Sequence, residues 1–103
     1  MGPITPHNKK LYTQQYKHGI DLFQRALDGH ATADEVHKKD AFKKVMDQAL
    51  NILNETARGL KDEKLLAQNA KIEQDYNNYK SSETDSEKGK LISDLTQAEK
   101  KAR

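Results

Sequence analysis

The sequence has no cysteine and no tryptophan, only two prolines, and no long run of apolar residues. The first absence rules out disulfide stapling, thiolate chemistry and cysteine-based zinc sites. A membrane-crossing helix needs roughly 20 consecutive apolar residues, which the chain nowhere approaches. No apolar segment near the N-terminus reads as a secretory signal, so the expected location is the cytoplasm. Export by a route that uses no N-terminal signal leaves no mark in a sequence. Both prolines, Pro3 and Pro6, precede the first periodic segment, and nothing after them forbids long helices.

Hydrophobic residues make up 34% of the 103 and charged residues 33%, a lean balance that suits amphipathic helices each burying one stripe. The expectation is a single helical domain over residues 1–103 with one modest core. The net charge of +2 is spread evenly, with nine Lys/Arg against seven Asp/Glu in residues 1–60 and nine against nine in 61–103. That balance gives little support to a polyanion binder.

Helical periodicity is the main signal. Thr5-Pro6 reads as a cap followed by a first helical residue. Tyr12, Tyr16, Ile20, Phe23 and Leu27 then recur on one helical face, and Gly29 is placed to stop the helix in a left-handed turn. Thr32-Ala-Asp-Glu35 matches a capping box for a second helix, which carries Phe42, Val45, Met46, Ala49, Leu50, Leu53 and Ala57, with Gly59 as the next stop. Asp62 is a possible cap for a third, whose seam is Leu65, Asn69, Ile72, Tyr76 and Tyr79. Thr84-Asp-Ser-Glu87 is another capping box, ahead of Leu91, Leu95, Ala98 and Ala102. The predicted helices are 6–28, 33–58, 62–80 and 85–102. They favour an all-α, up-down-up-down four-helix bundle. The alternative is a three-helix bundle with a loosely docked C-terminal helix.

Reactive chemistry finds little footing. His37 projects about 150° from the centre of its helix's apolar stripe, beside Asp40 and Lys44, and a lysine there opposes cation binding. His30 falls in the predicted turn, and His7 and His18 on the first helix, where Asp21 is the one carboxylate within four residues of His18. The plainer reading is solvated histidines near helix ends, with no metal or cofactor. No Glu-x-x-His occurs, the carboxylates lie mainly off the apolar stripes, and the five glycines form no phosphate-binding cluster. The expectation is therefore not an enzyme. Gly19, at the edge of the first stripe, reads as a site of close helix approach. Asn54-Glu-Thr56 and "SSETDSE" resemble modification strings, but both have a plain helical reading.

Two surface readings remain. Lys38, Lys39, Lys43 and Lys44 form a lysine cluster that could serve a weak nucleic-acid binder. It spreads around the helix, however, and the pairs Asp34–Lys38, Glu35–Lys39 and Asp40–Lys44 suit self-neutralisation, with no aromatic to stack a base. The leading reading uses apolar residues that the bundle pattern leaves over: Leu11 and Leu22 beside His18 on helix one, Leu66 and Ala70 on helix three, with Val36 offset in helix two. These predict a protein–protein interaction module, of the adaptor, chaperone-like or secretion-associated kind, that binds a partner helix or itself through strips on helices one and three. A Leu11→Asp/Leu22→Asp change is then expected to leave helicity intact but abolish association. Asn69, polar within a seam, is expected to fix helix register, and Tyr76 and Tyr79 to leave their hydroxyls wet.

Overall fold

The computed structural model describes residues 6–102. They form four α-helices and, among them, no strand: α1 (Pro6–Thr32), α2 (Val36–Leu60), α3 (Glu63–Ser82) and α4 (Asp85–Lys101). Short turns make each helix antiparallel to the next, giving the up-down-up-down bundle, 47 × 22 × 19 Å. α1 packs on α2 and α4, and α3 packs on α2 and α4, so α1 and α3 lie diagonally across the core. The C-terminal helix is fully docked, with Leu91, Leu95 and Ala98 at 0% exposure. At 1.5 Å per residue α1 is about 40 Å long and α4 about 25 Å, so the first turns of α1 stand beyond the end of α4.

The core is the expected set of stripes. Tyr16, Ile20, Phe23 and Leu27 of α1 meet Met46, Ala49, Leu53 and Ala57 of α2, with Leu65, Ile72, Tyr76 and Tyr79 closing from α3. Phe23 and Tyr76 stack edge to face, ring centroids 5.2 Å apart. Pro6 is the first residue of α1 as expected, while its proposed cap Thr5 lies outside the described residues. Asp62 caps α3, its carboxylate accepting from the Lys64 and Leu65 amides. Thr84 caps α4 by accepting from the Glu87 amide.

The glycines play a different part from the one expected. Gly29 does not end α1, which runs three residues further, and Gly59 sits inside α2. Their missing side chains admit aromatic rings from the opposite helix. A Cβ at Gly29 would collide with the Phe42 ring, and one at Gly59 would lie 2.8 Å from the Tyr12 ring. The left-handed stops fall instead on Lys61 (φ 55°) and Glu83 (φ 51°). The Thr32–Glu35 capping box does not form either. Thr32 is still helical, its hydroxyl donating to the Asp28 carbonyl at 3.0 Å, and Glu35 precedes α2 without a side-chain capping bond.

Candidate interaction surface

α1 carries a second row beside its buried stripe: Leu11, Gln15, His18 and Leu22, spaced four, three and four. The row runs along the flank of α1 that meets α2. Gly19 lets α2 come close there, since a Cβ at that position would sit 3.0 Å from both Ile52 Cγ2 and Leu53 Cδ2. Next to this contact Gln15, His18, Ile52, Glu55 and Thr56 line a shallow groove of about 300 Å³. Thr56 spends its hydroxyl within its own helix, donating to the Ile52 carbonyl at 2.7 Å. Leu11, 45% exposed, opens the row, and His18 is exposed beside the groove. Leu22 closes it half-buried and packed against the core.

The other sequence-derived strip lies elsewhere. Leu66 of α3 is half-buried and packed against the core, and Ala70 is exposed. Because α1 and α3 are diagonal, the strips on helices one and three lie on separate faces of the bundle. Val36 is 76% exposed but stands at the far end of α2 from the start of α1, so it does not extend the Leu11 row.

The lysine cluster is partly neutralised, though by other partners than its spacing suggests. Lys39 reaches across to Glu83, Nζ to Oε1 3.1 Å, and Lys38 pairs loosely with Glu35 at 4.0 Å. None of the three expected four-residue pairs forms among the described residues. Glu35 has an extended backbone (φ −121°, ψ 140°), so the helical spacing that those pairs assume does not yet apply to it or to Asp34. Lys43 is half-buried, and its carbonyl accepts from the Tyr76 hydroxyl. Lys44 is exposed.

Three buried tyrosine hydroxyls, not wet ones, tie the helices together. Tyr16 donates to Asn69 Oδ1 at 2.5 Å, and the Asn69 amide donates onward to Asn54 Oδ1 at 3.1 Å, linking α1, α3 and α2 in one layer. Tyr76 donates to Asp47 Oδ1 at 2.8 Å, and burial pushes its hydroxyl pKa well up. The Tyr79 hydroxyl lies 2.8 Å from His30 Nδ1. His30 is thus neither in a turn nor solvated. It is 0% exposed, and its Nε2 has no hydrogen-bond partner, with Glu83 Oε1 at 3.9 Å. A neutral ring with its proton on Nε2 accepts the Tyr79 hydroxyl at Nδ1. Burial holds the His30 pKa below the ordinary imidazole value; Lys43 and Lys39 add to this, and Glu83 and Asp40 oppose it. The Lys39 hydrogen bond in turn lowers the Glu83 pKa.

At the α3–α4 contact, Asp75 faces Asp94. Burial, then the hydrogen bond between the two carboxyls and repulsion from Asp94 and Glu87, push the Asp75 carboxyl up to about 6. The sequence carries no signal for this pair beyond two acids on helices that turn out to face each other. Among the described residues no group of three or more His, Asp or Glu is arranged to hold a metal ion. Nor is any helix among them long and apolar enough to cross a membrane.

No protein-family model, no curated protein and no solved structure matches this chain.

Proposed function

We propose that this chain is a non-enzymatic protein-interaction module, a small cytoplasmic adaptor, chaperone-like or secretion-associated helical protein. Its α1 takes a helix of a partner protein along the row Leu11, Gln15 and His18. One observation carries the reading: a row at helical spacing borders a groove between α1 and α2 and opens on an exposed leucine. Helix-in-groove recognition uses anchors at such spacings. Leu22 supports the row from below, and Leu66 and Ala70 belong to a separate face.

A synthetic amphipathic helix with leucines on one edge and glutamines on the others is the test probe, titrated into the isotopically labelled chain. The expected result is amide-shift changes around residues 11–18 and 52–56, lost in a Leu11→Asp/His18→Asp variant. Both side chains are exposed, so this pair spares the core, whereas Leu22→Asp would put a charge against it. Shift changes confined to residues 36–44, or unaltered binding by the variant, would count against the proposal. Sedimentation of the chain alone reveals whether the docked helix comes from a second copy.

A further inference from the structure

We infer, resting on the docking of a helix by α1, that this partner helix is acidic along the edge that lies over Lys10 and Lys17. One residue before each member of the row Leu11, Gln15, His18 and Leu22 stand Lys10, Gln14, Lys17 and Asp21, a parallel row rotated by about 100° around α1; Asp21 is turned to Arg25 by an ion pair of 3.1 Å, which leaves Lys10, Gln14 and Lys17. All three are exposed, and with Pro6, Lys9 and Thr13 they line a hollow of about 390 Å³. Lys9 also borders the hollow at the α2–α3 turn, together with Lys61 and Lys64. A helix seated on Leu11 and His18 therefore has the ammonium groups of Lys10 and Lys17 along one side.

Lys10 and Lys17 have no acid paired to them. Among the described residues, none of Lys9, Lys10, Lys17, Lys61 and Lys64 enters an ion pair, whereas Lys38, Lys39, Lys88 and Lys90 all do. Asp62 and Glu63 share the second hollow with Lys9, Lys61 and Lys64, and Asp62 already accepts two amides as the α3 cap. Antiparallel packing brings the start of α1 and the turn between α2 and α3 to the same end of the bundle, so Lys9, Lys10, Lys61 and Lys64 gather there.

The pattern suits an acidic protein helix better than a nucleic acid or a lipid surface. Glu55 of α2 lines the opposite side of the groove, so positive potential is confined to the α1 side. Asp62 and Glu63 interrupt the second hollow. A regular phosphate backbone would meet both signs, while a helix with acids on one edge and neutral or basic residues on the other would meet complementary ones.

Two peptides of about 18 residues, five helical turns, decide the matter. Both carry the same leucine edge; one has glutamates along the flank that would face Lys10 and Lys17, the other lysines. At physiological ionic strength the glutamate peptide is expected to bind the full chain more tightly. A Lys10→Glu/Lys17→Glu variant should weaken that peptide roughly tenfold and strengthen the lysine peptide, as the reversal of two partly screened pairs implies. Equal binding of both peptides at residues 11–18 overturns the acidic edge and leaves helix docking standing. Failure of both peptides, or tighter binding to a DNA duplex or to phosphatidylserine vesicles, overturns the acidic edge and the docking alike.

Discussion

Asn69→Leu isolates the polar layer at the centre of the bundle. Asn69 is 1% exposed and Tyr16 0%, so removing the amide leaves the Tyr16 hydroxyl facing hydrocarbon with no route to water. An orphaned buried hydroxyl costs about 1–3 kcal/mol. Asn54 is only half-buried and can turn its own amide outward, so its share is small. A loss of about 2 kcal/mol in a domain of this size lowers the melting temperature by roughly 8–16 °C. Tyr16→Phe should cost a similar amount, because it strands Asn69 Oδ1 instead. The double variant Tyr16→Phe/Asn69→Leu removes both partners together and is expected to be no less stable than either single change. Urea unfolding of the four proteins completes the cycle and should return a coupling energy of about 2 kcal/mol or more. Simple additivity of the two single losses would show that these groups do not depend on each other, and the layer would lose its place as the device that sets helix register.

Further outcomes follow from the titrating groups and the glycines. His30 has a lowered folded-state pKa, so the unfolded chain binds the proton more readily; its contribution to stability is full above the unfolded value near 6.5 and is lost as pH falls below it. Unfolding free energies between about pH 7.5 and 5.5 should fall on that account, and a His30→Gln variant should lose this part of the slope. The Asp75 carboxyl, pushed up to about 6, has the opposite sign: the folded state holds its proton more tightly, so stability rises as pH falls from above 6 towards the ordinary carboxylate range. Asp75→Asn should therefore be more stable than the parent at neutral pH and show no gain on acidification from this site; equal stability at pH 7.5 would contradict the shared proton. Gly29→Ala must displace the Phe42 ring and should lower the melting temperature, whereas Gly89, within α4 and facing open space, should stabilise by about 0.5–1 kcal/mol when changed to Ala. Thermal melts of the two variants moving in the same direction would refute that contrast.

The stripes of α1 and α2 are readable because burial follows a period that the chain displays directly: Tyr16, Ile20, Phe23 and Leu27 are spaced as a helix needs and are all fully covered. Gly29 is harder, since a glycine near a helix end serves equally as a left-handed stop or as space for a neighbour's ring, and only the position of Phe42 distinguishes them. That ambiguity carried His30 with it. Three residues beyond Leu27 it continues the buried stripe, but a helix ended at residue 29 places it in a turn. The ion pairs assigned to Lys38 and Lys39 failed for a related reason, because they depend on where α2 begins. The separation of Leu11 from Leu66, in contrast, follows from the topology itself: in a ring of four antiparallel neighbours the first and third helices are diagonal. Leu11 and His18 were visible as off-stripe residues, while the groove beside them arises from the Gly19–Ile52 contact between two helices. The cluster of unpaired lysines needs the folded chain, since Lys61 and Lys64 lie far from Lys9 in sequence.

The most direct test is a hydroxyl-radical footprint of the full chain, alone and in a complex purified from its own cells. Protection of Leu11, Gln15 and His18 together with residues 52–56 of α2 is the predicted pattern. Protection confined to Lys38, Lys39, Lys43 and Lys44, or to Leu66 and Ala70 on the diagonal helix, would contradict the account.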